Sequence, residues 1–207
     1  MPNSRSHLLE ANGIFALKST HPEVRRLKRQ GNIAELHGNK VWRSSFVLMD
    51  YFLTNPIPQG CRVMDVGCGW GLTGIFLNRQ FDAVVTGIDA DENVEPFLDL
   101  QCEVNGAHVA FEKRRFEQLT MQRLAPYHTL VGADICFWDE MAKPLFNLIN
   151  RALRAGVQQV VVADPGRAPF FALAELCSQS LDSEIIVRSI DHPMKTRKHI
   201  LLVENRR

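Results

Sequence analysis

The sequence predicts an α/β fold in which helices cover both faces of a mostly parallel seven-stranded sheet. The first observation is a short apolar strand, Arg62–Val66, that runs through a glycine-rich turn at residues 67–71 into a helix-like segment. The second is that strand-like and helix-like segments then alternate along the core. The third is a final pair of strands, residues 184–190 and 199–204, with no helix between them. Such strands pair antiparallel, so we expect an antiparallel C-terminal strand.

Turn and cap residues set the expected boundaries of the elements. Pro22 in a first turn and Gly31 after a last turn bound the first helix, and Gly106 and Gly156 end two later helices. Helices are expected at residues 21–30, 46–53, 72–80, 92–104, 141–155 and 170–181. Strands are expected at residues 62–66, 81–88, 108–111, 127–133, 157–163, 184–190 and 199–204. The chain is therefore predicted to be one domain, residues 1–207, with a helical N-terminal extension at 1–60 and a core at 61–207.

Composition argues against several classes of protein. The net charge is +1, so the chain has no excess of positive charge that would attract nucleic acid. The five cysteines are dispersed without the spacing of a metal site, which favours reduced thiols in a cytosol-like compartment. No apolar segment is long enough to span a bilayer, and residues 1–7 lack the apolar core of a signal peptide. We expect a cytoplasmic protein with no membrane partner and no metal, and with no feature that favours nucleic acid.

The glycine-rich turn is compatible with two classes of ligand. One register, Gly69-x-Gly71-x-x-Gly74, matches the dinucleotide fingerprint. The other register places an acid, Asp65, two residues before the first of three alternate glycines. A carboxylate there suits the ammonium group of S-adenosylmethionine (SAM) and does not suit an anionic pyrophosphate. Asp89 ends the second core strand and can accept hydrogen bonds from both ribose hydroxyls, which NAD and SAM share.

The motif at residues 65–71, together with Asp89, resembles that of class I, seven-β-strand SAM-dependent methyltransferases. Residues 38–45, 132–139 and 164–167 further resemble the protein-lysine methyltransferase branch, most closely the electron transfer flavoprotein β-subunit lysine methyltransferases. The resemblance implies a Rossmann-like sheet, SAM as the cofactor and S-adenosylhomocysteine as its product. Residues 1–40 match no pattern of that branch, and this kind of extension often determines the substrate.

The resemblance also implies roles for individual residues around the cofactor. Three glycines would line the methionine part of SAM, Asp89 would hold the ribose, and Trp42 would flank the cofactor. In this fold, Phe116 and Glu117 would lie beside the adenine. The predicted cofactor-binding residues are Trp42, Asp65, Gly67, Gly69, Gly71, Asp89, Phe116, Glu117 and Asp134.

The reacting centre is expected where the fourth core strand ends. Ligands of open α/β sheets bind outside the carboxyl ends of the strands, and residues 134–140 place carboxylates and aromatic rings there. That mixture suits a cationic or amine group. The resemblance places Asp134 where the amine enters, which makes it the predicted catalytic residue. The predicted substrate-binding residues are Trp138, Asp139, Asp164 and Arg167.

The leading hypothesis is a SAM-dependent N-methyltransferase whose partner is a protein that carries an accessible lysine. A second hypothesis is N- or O-methylation of a small amine or carboxylate metabolite, which the same motifs allow. A third is a non-catalytic module that binds SAM or a partner. An NAD oxidoreductase is the least favoured alternative, because 207 residues leave little room for a second domain.

Overall fold

A computed structural model describes residues 7–32 and 40–205. The strands are β1 (Leu8–Ala11), β2 (Ile14–Leu17), β3 (Arg62–Val66), β4 (Val84–Asp89), β5 (Val109–Lys113), β6 (Thr129–Ala133), β7 (Gln159–Asp164), β8 (Asp182–Ile190) and β9 (Thr196–Glu204). The α-helices are α1 (Pro22–Arg29), α2 (Arg43–Thr54), α3 (Leu72–Phe81), α4 (Glu95–Asn105), α5 (Met121–Leu124), α6 (Ala142–Ala155) and α7 (Ala168–Ser178). In the described part of the chain, no helix has the length and apolar character needed to cross a membrane.

The main sheet has seven strands in the order β5-β4-β3-β6-β7-β9-β8. Every neighbouring pair from β5 to β7 is parallel, whereas β9 pairs antiparallel with both β7 and β8. This topology confirms the predicted mostly parallel sheet with an antiparallel C-terminal strand. The chain leaves β3 in one direction towards β4 and β5, then returns to the other side of β3 as β6. A crevice between β3 and β6 therefore opens at the carboxyl ends of the strands, where this class of sheet binds ligands.

Helices pack on both faces of the sheet, as the alternating pattern predicts. One cluster of buried side chains includes Phe46 and Phe52 of α2 and Phe76 of α3. The cluster on the other face includes Leu145 of α6 and Phe170 of α7. Each large side chain of this kind contributes about 1.5–3 kcal/mol when it is fully buried. The two clusters hold the strand ends, and so the crevice, in a fixed position.

The N-terminal extension is not purely helical, because β1 and β2 form an antiparallel hairpin. Its turn is Asn12-Gly13, and both residues have positive φ angles, +52° and +77°. This is the dipeptide that two-residue hairpins favour, so the sequence carried the signal and the helical prediction for residues 1–60 was wrong here. Side-chain amides then satisfy the free edge of β2. Gln101 bonds both backbone groups of Leu17 at 3.0 Å, and Asn105 does the same for Phe15 at 2.8 Å.

Most predicted boundaries shift by a few residues: the helices predicted at 46–53 and 170–181 are Arg43–Thr54 and Ala168–Ser178, and the strand predicted at 199–204 is Thr196–Glu204. Two of the shifts have clear local reasons. Phe81, predicted to open a strand, instead ends α3, because Asp82 adopts a left-handed conformation with φ +49° and caps the helix. The helix predicted at 92–104 becomes a short 3-10 turn, Glu92–Val94, followed by α4. Pro96 lies in the first turn of α4, where its missing N–H costs no hydrogen bond, so the α-helix begins at Glu95.

Candidate active site

The glycine turn joins β3 to α3 in a left-handed backbone conformation. Gly67, Gly69 and Gly71 have φ angles of +66°, +51° and +72°. A Cβ atom on Gly71 would lie 2.0 Å from Leu98 Cδ1, and one on Gly67 would lie 2.6 Å from Ile135 Cγ2. A Cβ on Gly69 would meet nothing within 4 Å. An added methyl group at position 67 or 71 would therefore have to displace Ile135 or Leu98, whereas position 69 leaves open space.

That space belongs to a cavity of about 340 Å³, which we call the first cavity. It lies at the carboxyl ends of β3, β4 and β6, and its size is in the range of small-molecule sites. All nine residues that the sequence predicts to bind a cofactor line it: Trp42, Asp65, Gly67, Gly69, Gly71, Asp89, Phe116, Glu117 and Asp134. Trp138, predicted to bind substrate, also lines it.

Asp65 is a buried carboxylate in the wall of the first cavity, with 2% of its surface exposed. Its Oδ2 accepts a hydrogen bond of 3.1 Å from the backbone N–H of Gly74. Burial raises the pKa of Asp65 to about 7, although this hydrogen bond opposes the shift. A cationic group in the cavity would favour the ionised form, so the position suits an ammonium ligand.

Asp89 is half-buried and ties the end of β4 to the glycine turn. Its Oδ2 accepts a hydrogen bond of 3.0 Å from Gly69 N–H, and its Oδ1 accepts one of 3.0 Å from Asp91 N–H. Burial raises its pKa, and these backbone donors act in the opposite direction. Each carboxylate oxygen keeps further acceptor capacity, so Asp89 could also receive two hydroxyl groups of a sugar.

Asp134 follows β6 in a left-handed conformation, with φ +56°, and is 3% exposed. Its Oδ2 accepts a hydrogen bond of 3.2 Å from the backbone N–H of Ser44, in the first turn of α2. The Asp134 carboxylate therefore caps α2, although Asp134 belongs to the core and α2 precedes it. No side chain at the start of α2 itself makes a capping hydrogen bond. The unusual backbone conformation aims the side chain at that helix.

Arg167 connects Asp134 to a second buried carboxylate. Its Nη1 lies 3.1 Å from Asp134 Oδ1 and 2.6 Å from Asp164 Oδ2. Asp164 is fully buried, and its Oδ1 accepts the backbone N–H groups of Gly166 and Arg167. By formal charge, the two carboxylates and the one guanidinium sum to −1. One additional cation beside Asp134 would neutralise the group.

Aromatic rings surround this ion-pair group. The guanidinium of Arg167 lies 4.4 Å from the centre of the Phe137 ring. Phe137 in turn contacts the Trp42 ring edge-on at 5.2 Å and the Trp138 ring at 5.9 Å between centres. Trp138 is 45% exposed and lies at the surface of the first cavity. Carboxylates beside aromatic faces form a setting that attracts a cation or an amine.

Residues 23–168, which contain all of these groups, match the sequence model of the lysine methyltransferase family. The chain belongs to this family. The match includes residues 23–40, so the expectation that residues 1–40 share no pattern with this branch was wrong for that part. Electron transfer flavoprotein beta subunit lysine methyltransferase from Xenopus laevis is 30% identical over 131 residues, which cover 62% of this chain and 52% of that protein. Ubiquinone biosynthesis O-methyltransferase from Maricaulis maris is 27% identical over 118 residues, which cover 56% and 45%. The methyltransferase chain thus spans about half the length of these curated relatives.

Solved structures agree on the fold. A human methyltransferase 10 domain containing protein superposes with a TM-score of 0.59 over 80% of this chain and 84% of that chain, at 11% sequence identity. At that identity the likeness shows the fold alone. The chain therefore belongs to a methyltransferase family and shares the fold of solved methyltransferases, and the family implies the use of SAM.

A second cavity, of about 720 Å³, opens next to the first. Residues that line both are Lys40, Val41, Trp42 and Asp134. Arg167, predicted to bind substrate, lines only the second cavity. Asp164 lines neither and reaches the methyltransferase site only through Arg167. Asp139 is exposed and lines neither cavity, so its predicted contact with substrate stays a prediction without a structural counterpart.

Several lining residues were not predicted from the sequence. Thr73 lines the first cavity with its Oγ1 buried, and no hydrogen-bond partner for that atom is found among the described residues. Lys18 and Lys198 line the second cavity, although they come from the hairpin and from β9. Thr73 lies close to the glycine motif and could have been found there. The two lysines carry no local signal, because only the folded chain brings them together. Residues 33–39 contain Gly38 of a predicted motif and lie outside the described residues.

Proposed function

We propose that this methyltransferase transfers the methyl group of SAM to the side-chain amine of a lysine in another protein. The observation that carries the proposal is the position of Asp134. Its buried carboxylate lies where the first cavity, which is lined by the glycine turn, meets the second cavity. A ligand in the first cavity and an amine from the second could therefore meet beside a group of net charge −1.

The first cavity fits SAM in its chemistry. The buried carboxylate of Asp65 would face the ammonium group, Asp89 would accept the ribose hydroxyls, and Phe116 would cover one face of the adenine. The unpartnered Oγ1 of Thr73 offers a further polar contact in the same cavity. When bound, SAM supplies a methyl group that is already activated by its positive sulfur.

The remaining task of the chain is to position the amine. A lysine amine has a pKa of about 10.4 in water, so it must release a proton to the solvent as it enters, before it can act as a nucleophile. The Asp134 carboxylate would accept a hydrogen bond from the neutral amine and stabilise the positive charge that the amine carries after transfer. The rings of Trp42, Phe137 and Trp138 would exclude water around it. Arg167 and Ser44 N–H hold the carboxylate in place.

The direct test is incubation of the protein with methyl-labelled SAM and a protein extract from a host that lacks the gene. Label on a lysine of one protein band would support the proposal and identify the substrate. We expect Asp134→Asn still to be saturated by SAM, although Asp134 also lines the cofactor cavity, and to lose roughly 10²-fold or more in turnover at saturating SAM. Asp99→Asn, an exposed carboxylate on α4 that lines neither cavity, serves as the matched control. Full turnover by Asp134→Asn would remove the assigned role.

The second candidate is methylation of a small molecule, and one relative favours it. Ubiquinone biosynthesis O-methyltransferase is named for a small-molecule pathway and matches 56% of this chain. The same incubation separates the two candidates, because label would then appear in the small-molecule fraction and not on protein. SAM binding without label in either fraction would indicate a binding module.

A further inference from the structure

The lining of the second cavity is unusual in its charge. Its positively charged side chains are Lys18, Lys40, Arg43, Arg167 and Lys198. Among the described lining residues the single carboxylate is Asp134, which is buried and already paired with Arg167. We call this lining, defined by these five cations, the basic groove. Asp134 and Asp164 more than balance Arg167, so the excess positive charge comes from the other four cations, in a chain whose net charge is only +1.

Three of the five cations have no acidic partner among residues 7–32 and 40–205. Arg167 pairs with Asp134 and Asp164, and Lys40 lies over the Trp42 ring at 4.3 Å. For Lys18, Arg43 and Lys198, the described part of the chain provides no ion pair. Lys18 and Lys198 are also half-buried. Like charges that are held together without counter-charges favour an anionic ligand.

The groove is also partly apolar. Leu9, Phe46, Pro165 and Met194 line it together with the cations. A peptide with acidic and apolar side chains matches such a lining, whereas a sugar-phosphate backbone presents charge without apolar groups. The rings in the described lining are His7, Trp42 and Phe46. Phe46 is buried in the core and Trp42 also lines the first cavity, so the groove itself offers few rings on which bases could stack.

We propose that the basic groove binds an acidic segment of the substrate protein, beside the lysine that enters at Asp134. This inference rests on the proposed function and specifies its substrate class. The groove and the first cavity share Asp134 and Trp42, so a bound segment would hold its lysine at the junction of the two cavities. Binding at the cations would then position the amine in the same way that remote contacts position other substrates.

The test compares two short peptides of equal length, each with one central lysine. Glutamates flank the lysine in the acidic peptide, and glutamines flank it in the neutral peptide. Binding is followed by fluorescence anisotropy with S-adenosylhomocysteine present, and methyl transfer is followed separately with SAM. We expect the acidic peptide to bind about tenfold more tightly than the neutral one, and to lose this advantage as salt is raised.

The variant Lys18→Glu/Lys198→Glu reverses two charges of the groove outside the predicted catalytic machinery. It should abolish the preference for the acidic peptide, whereas Arg25→Glu/Arg29→Glu, an equal charge change on the exposed face of α1, should retain it. If the double reversal does not fold, Lys18→Gln/Lys198→Gln and the salt dependence of the unaltered protein give the same comparison.

Equal binding of the two peptides, or equal losses in both double variants, would overturn the proposal. If a single-stranded RNA binds more tightly than the acidic peptide, and the groove variant loses this binding, the groove would be a nucleic-acid surface and the acidic-peptide proposal would be wrong. The proposed function is tested separately by methyl transfer. If the acidic peptide binds in the groove but its lysine is never methylated, the result would support the acidic-peptide site and contradict the proposal that lysine is the substrate.

Discussion

Asp65 is a residue at which ligand binding and folding stability conflict. Its carboxylate is buried, and burial raises its pKa from 3.8 to about 7. The folded protein therefore binds this proton more tightly than the unfolded chain does. The contribution to stability is complete below pH 4 and is lost as the pH rises towards 7, by on the order of 4 kcal/mol. A cationic ligand beside the carboxylate would offset this loss, so the conflict exists only in the ligand-free protein.

We predict that Asp65→Asn stabilises the ligand-free protein at pH 8 and removes its affinity for SAM. The amide keeps an acceptor for Gly74 N–H, carries no charge to bury, and offers an ammonium group no ionic partner. Denaturant unfolding at pH 5 and pH 8 measures the first effect, and titration calorimetry with S-adenosylhomocysteine measures the second. The stability gain should be much smaller at pH 5. A variant that is equally destabilised at both pH values would show that Asp65 is not held in the ionised form at pH 8.

At this scale, the residues that could be predicted are those whose chemistry is tied to a strand end. Asp65 and Asp89 follow from the glycine turn and from the rule that strand ends face the ligand. Arg167 was predicted beside the substrate, but its bridge between Asp134 and Asp164 was not. Lys18 and Lys198 could not be predicted, because they are 180 residues apart in the chain and meet only through the hairpin and β9.

Among the elements, the glycine turn contains residues chosen for two separate reasons. One is the left-handed backbone conformation, and the other is the space left free where a side chain would be. Gly69 and Gly106 both adopt left-handed conformations, with φ +51° and +55°, and a Cβ on either would meet nothing within 4 Å. Gly106 ends α4 and lines neither cavity, whereas Gly69 lines the first. The two positions therefore share the backbone cost of alanine, about 1–2 kcal/mol, and differ only in what occupies the adjacent space.

We predict that Gly69→Ala and Gly106→Ala lower the free energy of unfolding by similar amounts, and that only Gly69→Ala loses affinity for SAM. The added methyl group would occupy space that the methionine part of the ligand needs. Urea unfolding of the ligand-free proteins and calorimetric titration with S-adenosylhomocysteine give the two measurements. Unchanged affinity in Gly69→Ala would mean that the ligand does not approach this part of the turn.

The types of the core elements could be predicted, because the strands and helices of the core have clear periodic patterns. The ends of the elements could not. Asp82 ends α3 by adopting a conformation that few non-glycine residues take, which moved the start of β4. The hairpin of β1 and β2 was missed because each strand has only four residues, too short for a periodic pattern. Its stability also depends on Gln101 and Asn105 of α4, which are about 90 residues away.

For the molecule as a whole, the first cavity joins the core to a segment that precedes it. Trp42 and Ser45 line the cavity together with the glycine turn, and Asp134 caps α2 through Ser44 N–H. A ligand that fills the cavity would contact both the core and residues 41–45. Either part could then open only after the ligand is released. At a ligand concentration of 100 times Kd, this requirement makes opening less favourable by about 2.7 kcal/mol.

We predict that saturating S-adenosylhomocysteine slows amide hydrogen exchange in residues 41–45 and 67–73 together, by up to roughly 10²-fold where exchange occurs through such opening. Hydrogen-exchange mass spectrometry with and without the ligand makes the measurement. β8 provides the internal control, because it is the outer strand of the sheet and lines neither cavity. Slower exchange in 67–73 alone would show that Trp42 does not flank the cofactor. The N-terminal segment would then act on the substrate side only, through the basic groove.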